Sequence, residues 1–336
     1  MKWSKSICYL FFISTVITSC VDEVKQGDIY VDIYDSEKAC NGTTLFTDGH
    51  DPQNPRIIEV NMLGDIVWEY LLPDDLKQYI QPGFDAELLS NNHVLIVLPG
   101  KGVYEIDRSG NIVWKHEDEK ISHDADRLPN GNTIYVFGGN DTKQDAQVKE
   151  VNSNGDLVWS WYAKDELDTD PYTDISYQGW THINAVTRLK DGNTLASLRN
   201  FSLTVIVNPG GSIEKTYDWS SKSGATRPDP HEPEVDESED TLLIALQNDS
   251  PYQGVEINMT SEDIIWTYSR TGLRTTRDCD RLQNDNTLLV GVLQQEDESV
   301  IFEVTPDSEI VWQLKLKDVP VGQNPGWFYK AQRICQ

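Results

Sequence analysis

The stretch Asp126-Arg127-Leu128-Pro129-Asn130-Gly131-Asn132-Thr133-Ile134-Tyr135-Val136-Phe137 decides the fold. Asp126-Arg127-Leu128 opens a strand, and Asn130-Gly131 supplies the positive φ that a tight hairpin requires. From Thr133 to Phe137 the chain alternates as a second strand. Gln147 to Asn152 reads as a third, Asn154-Gly155 turns again, and Leu157 to Tyr162 reads as a fourth. The unit recurs. Its second-strand step returns as Asn193-Thr194-Leu195, Asp240-Thr241-Leu242 and Asn286-Thr287-Leu288. Its fourth strand returns as an apolar run closed by Trp68, Trp114, Trp159, Trp266 and Trp312. Neighbouring copies stand 45 or 46 residues apart, and the interval between Trp159 and Trp266 holds one degenerate copy with Lys215 in the Trp slot.

Six four-stranded units with a period near 45 predict an all-β, six-bladed β-propeller. No stretch after the N-terminal segment shows the 3.6-residue periodicity of an amphipathic helix. Lys330-Ala331-Gln332-Arg333-Ile334 resembles the first strand of a unit, and Cys40-Asn41-Gly42-Thr43-Thr44-Leu45 the turn and second strand. The C-terminal strand is therefore expected to complete the first blade, which closes the ring and removes sheet edges. That hairpin sets Cys40 opposite Cys335, and a disulfide between them is expected. Cys279, at Asp278-Cys279-Asp280, is left as a packed free thiol, and metal-type Cys spacing is absent.

Residues 1–20 read as a lipoprotein-type signal peptide. Lys2 and Lys5 precede an apolar run from Ile7 to Ile17 that is too short to span a bilayer, and Ile17-Thr18-Ser19-Cys20 offers Cys20 for acylation. Residues 21–39 are expected to be an acidic linker and residues 40–336 the propeller. The protein is expected in a bacterial cell envelope, held by lipid on Cys20 with the propeller in the periplasm or at the cell surface. Such a compartment permits the disulfide. With 55 acidic against 28 basic residues and a net charge of −27, the chain lacks the cationic surface that nucleic acid demands. A small anionic substrate remains compatible, because it responds to local groups.

Local groups of that kind fall on matched rungs. Ten residues before the Thr of each step stand His123, Asn184, His231 and Arg277. In a propeller such positions lie on inner strands and converge on the axis. His182, two residues before Asn184, shares its face on an extended strand. Arg199 ends the second strand of that blade, and Trp180 offers an aromatic wall. Asp124 and Glu232, each following a histidine, could orient an imidazole. His50, His93 and His116 fall in turns or outer strands and read as surface residues. No Ser nucleophile, phosphate loop or metal cage is evident. Neutral imidazole attacks phosphorus or sulfur centres, a second histidine serves as acid or base near neutral pH, and Arg and Asn suit the oxygens of a group in transfer.

Ser122-His123-Asp124, Trp180-Thr181-His182-Ile183-Asn184, Ser197-Leu198-Arg199 and Pro230-His231-Glu232 resemble the active-site segments of bacterial arylsulfate sulfotransferases. The resemblance is firmest from about residue 120 to 290. It implies a six-bladed propeller that moves a sulfuryl group from a phenolic sulfate ester to a phenolic acceptor, with no nucleotide donor and no other cofactor, through a sulfohistidine. It implies His231 as the nucleophile, with His123, His182, Asn184 and Arg199 holding sulfate oxygens and assisting proton transfer. Arg277 comes from the rung count alone. The chain is shorter than well-known members and lacks room for their extra N-terminal β domain. Two rival readings are an anion-binding or scaffold propeller without turnover, and a quinone-dependent dehydrogenase-like propeller, whose blades also repeat Trp motifs.

Overall fold

A computed structural model describes residues 29–248, 250–293, 298–317 and 328–336. Six antiparallel sheets are arranged as a β-propeller. From the inside out, blade 1 comprises Ala331–Cys335, Gly42–Asp48, Arg56–Asn61 and Ile66–Leu71, and blade 2 Asp85–Leu88, Val94–Leu98, Gly102–Ile106 and Ile112–Glu117. Blade 3 comprises Ala125–Arg127, Thr133–Val136, Val148–Val151 and Leu157–Trp161; blade 4 comprises Ile183–Arg188, Thr194–Leu198, Leu203–Val207 and Ile213–Asp218. Blade 5 comprises Pro230–Val235, Thr241–Leu246, Gly254–Asn258 and Ile264–Tyr268; blade 6 comprises Leu273–Arg281, Thr287–Leu293, Glu298–Val304 and Ile310–Leu316. The C-terminal strand completes blade 1, with Cys335 opposite Gly42 and Ala331 opposite Phe46. A disulfide joins Cys40 to Cys335 across a Cα–Cα distance of 5.6 Å, and Cys279 is buried and free.

The Trp repeat has a role beyond filling the core. Each indole N–H donates to a carbonyl in the outer turn of the next blade: Trp68 to Arg108 (3.0 Å), Trp114 to Ser153 (2.9 Å), Trp159 to Pro209 (3.0 Å), Trp266 to Pro306 (3.1 Å) and Trp312 to Met62 (2.9 Å). In the degenerate copy the Lys215 ammonium donates to the Met259 carbonyl. Lysine can stand in the slot because the shared requirement is a donor on a long apolar stem. An inner-strand arginine reaches back over the Trp of the preceding blade and pairs with a glutamate on its third strand. These pairs are Arg127–Glu105, Arg188–Glu150, Arg281–Glu256 and Arg333–Glu303. Apolar clusters made from facing strands of neighbouring blades fill the wedges between them.

One expectation fails. Ile29–Tyr34, inside the presumed linker, forms a fifth strand on the outer edge of blade 6, pairing antiparallel with Ile310–Leu316. Its cause is the edge it covers. Val311 is fully buried beneath it, whereas the equivalent Val67, Val113, Val158 and Ile265 on other blades are about half exposed, at 54%, 49%, 50% and 52%. The Cys20 assignment lies outside the described residues.

Candidate functional site

The first strand of each blade begins on one face of the ring, and that face carries an axial cavity of about 670 Å³. His123, His182, His231, Arg199, Arg277 and Tyr329 line it. Its size falls within the usual range for small-molecule sites. The rings of His123 and His182 lie 4.8 Å apart. Burial is the main cause holding all three imidazoles in the neutral form. The charges of Arg199 and Arg277 add to it, driving His123 and His231 well below the ordinary histidine value and His182 down to about 3.

Backbone carbonyls fix two tautomers. The Asp229 carbonyl lies 2.9 Å from His231 Nδ1, and the Gln178 carbonyl 2.8 Å from His182 Nδ1. A carbonyl only accepts, so in each neutral ring Nδ1 carries the proton and Nε2 keeps a lone pair. His123 Nδ1 is buried without a hydrogen-bond partner. Arg199 lies 3.5 Å from the buried Asp229 carboxylate and 5.6 Å from the Tyr177 ring. Arg277 stacks on Tyr329 at 5.2 Å, and burial pushes its guanidinium down to about 10.

Two buried carboxylates build the local backbone. Asp141 accepts from Thr181 N (3.1 Å), Thr181 Oγ1 (2.8 Å), His182 N (3.1 Å) and Gln147 Nε2 (3.2 Å). It thereby holds His182 at φ 47°, a conformation unusual for a residue with a Cβ. Gly179 makes the approach feasible, because a Cβ there would stand 2.4 Å from Asp141 Oδ1 at φ +126°. Asp229, itself at φ 47°, accepts from Asn248 Nδ2 at 2.5 Å and pairs with Arg227 at 3.1 Å, anchoring the segment that leads to His231.

Several expected positions differ. His123, His231 and Arg277 line the axial cavity, but Asn184 does not. A register irregularity between Ile183 and Ala185 breaks the alternation that would set His182 and Asn184 on one face, so His182 alone reaches the cavity. Asn184 sits behind it. Its Nδ2 donates to the Pro230 carbonyl at 3.0 Å, a carbonyl that also accepts from Ser197 Oγ at 3.0 Å, and its Oδ1 is buried without a partner. The position braces the residue next to His231. Trp180 is no wall of the axial site. It packs edge-on against Phe201, and its indole N–H donates to the Tyr172 carbonyl.

Asp124 and Glu232 do not orient imidazoles either. Both pair with the Lys330 ammonium, at 2.6 and 2.7 Å, and Asp124 also accepts from Val186 N. They belong to a second axial chamber, deeper along the inner strands, lined by Asp85, Glu87, Asp126, Glu234, Asp278 and Asp280 around Lys330. Among the described residues, no group of three His, Cys, Asp or Glu is placed to hold a metal ion. His50 and His93 each pair with a carboxylate outside the site, and His116 lies beside Tyr135.

Fold and site define a six-bladed propeller with an imidazole- and arginine-lined pocket at one end of its axis, suited to an anionic group. The chain belongs to the arylsulfotransferase family: the model Arylsulfotransferase (ASST) matches residues 28–224, more than half of the chain. That span contains His123, His182, Asn184 and Arg199 and ends before His231. No curated protein matches. Among solved structures, a protein of unknown function from Bacteroides caccae aligns with a TM-score of 0.60 at 17% identity, covering 87% of this chain and 98% of its own. Virginiamycin B lyase from Staphylococcus aureus aligns with a TM-score of 0.52 at 12% identity, covering 85% of this chain and 88% of its own. These likenesses concern the fold alone.

Proposed function

We propose that this protein transfers a sulfuryl group from a phenolic sulfate ester to a phenolic acceptor through a sulfohistidine on His231, without a nucleotide donor. The observation that carries this reading is the His231 tautomer. Its Nδ1 proton is committed to the Asp229 carbonyl, so Nε2 presents a lone pair to a cavity lined by two arginines. The imidazole is already neutral, so no proton must leave before attack.

In the first half-reaction Nε2 forms a bond to sulfur while the bond from sulfur to the aryl oxygen breaks, and its electron pair departs with the aryloxide. Arg199 and Arg277 hold the sulfuryl oxygens as charge shifts. In the second half-reaction an acceptor hydroxyl attacks sulfur, its proton passes to His182 or His123, and the pair of the nitrogen–sulfur bond returns to His231. The protonated imidazole then supplies the next departing aryloxide, so the cycle consumes no net proton. Bound sulfate ester offsets the charge of the arginines, which moves His182 toward the range where it can carry that proton.

The signal-like segment supports attachment through Cys20 at a bacterial envelope. Ile29 pairs with Leu316 at the end of blade 6 that lies on the face bearing the axial site. Cys20 stands nine residues before Ile29, a reach of at most about 30 Å, so a lipid there would tether the protein from its site face.

The test is nitrophenol release from 4-nitrophenyl sulfate by protein lacking residues 1–20, with and without phenol. Sustained release that requires phenol supports sulfuryl transfer. Release that continues without phenol identifies a hydrolase, and binding of the ester without release identifies an anion-binding propeller.

A further inference from the structure

Outward from the axial site lies a second cavity on the same face, of about 760 Å³. The short turn Arg199–Phe201 separates the two. Arg199 lines the axial cavity, whereas Asn200 and Phe201 line the outer one. Tyr177 lines both, and its ring centroid lies 5.6 Å from the Arg199 guanidinium and 5.0 Å from that of Arg227. One part of the wall is apolar and aromatic, with Tyr172 and Phe201 4.6 Å apart and Ile175 beside them, and Ser176, Ser202, Asp218, Ser220 and Thr226 make the rest polar.

Asn200 anchors the turn between the two cavities. Asn200 is only 8% exposed. Its Nδ2 donates to the carbonyls of Tyr177 (2.8 Å) and Gly179 (2.9 Å), while its Oδ1 is buried with no hydrogen-bond partner. Those two donations fix the amide and hold the turn that separates the two cavities. An aromatic patch of Tyr172 and Phe201 within an otherwise polar wall matches an aromatic ring that bears polar groups. The volume far exceeds that of a single phenol ring and suits a larger ligand.

We propose that the outer cavity is an aryl subsite for polyphenolic acceptors: one hydroxyl enters the axial site, and a distal ring lies against Tyr172 and Phe201. This rests on the axial site being the sulfuryl-transfer centre. The surface that makes the subsite is formed by the loop from Pro171 to Tyr177 and by Thr226 and Arg227, which lie outside the propeller strands.

The test compares phenol with 4,4′-dihydroxybiphenyl as acceptors for 4-nitrophenyl sulfate. The wild type should show a KM for the biphenol about ten-fold or more below that for phenol. Thr226→Trp and Ile175→Trp, which fill the cavity, should each raise the biphenol KM by about ten-fold or more. Both should leave the phenol KM and the acceptor-free nitrophenol burst near wild type. Equal KM values in the wild type, or a biphenol KM that neither filling changes, would overturn the subsite while an intact burst preserves the axial assignment. If the wild type gives no burst, the axial assignment itself fails. Calorimetric binding of the biphenol to wild type and both variants then decides the subsite, with loss of binding in the filled variants supporting it and unchanged binding refuting it.

Discussion

The two ends of the propeller axis are chemical opposites built from consecutive residues of the same strands. At the site face stand three neutral imidazoles and two arginines; deeper along the axis, carboxylates surround one ammonium. His123 and Asp124, His231 and Glu232, and Tyr329 and Lys330 each divide between the two. The difference shows why a chain with net charge −27 can present a pocket for an anion: charge is sorted along the axis. It also places two opposed pKa shifts on one set of strands. Burial and neighbouring cations depress the histidines. Burial and neighbouring carboxylates raise Asp126, Asp278, Asp280 and Glu232, and push Glu87 up to about 8.

Substitutions at the two ends of the axis should have different consequences. The largest effect is expected from His231→Ala, which should lower phenol-dependent turnover by at least about 10⁴-fold with an unchanged near-ultraviolet circular dichroism spectrum. Turnover within a few-fold of wild type would remove His231 from the chemistry. At the other end, Lys330→Met should destabilise by about 3–5 kcal/mol in urea unfolding, because it leaves Asp85, Asp124 and Glu232 without their shared cation. Arg199→Lys should cost about 10²-fold in kcat/KM, since an ammonium cannot reproduce the planar fork.

The pH dependence separates the ends by sign. A buried histidine with a depressed value binds fewer protons folded than unfolded. Its contribution is lost as pH falls from about 6.5, the unfolded value, toward the His182 value of about 3. A carboxylate with a raised value does the reverse, and its contribution is lost as pH rises from about 4.3 through the Glu87 value of about 8. Glu87→Gln should therefore gain at least about 2 kcal/mol at pH 8 relative to wild type and little at pH 4. An equal gain at both values would show that its carboxyl is not held protonated. The smallest effect concerns the ring itself: Lys215→Met should cost about 1 kcal/mol, matching Trp114→Phe, if both positions act as donors to the next blade.

Much of this was legible in the sequence because it repeats. The Trp slot, the Asn-Gly turns and the Thr step each recur with the blade, so Lys215 could be assigned to its copy without resembling Trp. The inner-strand histidines were legible for the same reason. Asn184 was misplaced because rung counting assumes unbroken alternation, and a register irregularity at Ile183 shifts the chain. Asp141 and Asp229 escaped notice because their work is to bind backbone amides, an asparagine and arginines, and Asp141 lies 41 residues from His182. Trp180, read as a wall, is a core residue whose indole needs a carbonyl partner. The strand Ile29–Tyr34 alternates well enough, but an acidic neighbourhood and a complete count of six blades concealed it.

A covalent sulfuryl group on His231 would be seen in the mass of the protein after exposure to 4-nitrophenyl sulfate with no acceptor. One sulfuryl group per chain is expected, on the peptide containing His231, released when phenol is added. An unmodified chain that still turns over the ester when phenol is present, or a sulfuryl group on another residue, would contradict a sulfohistidine at His231.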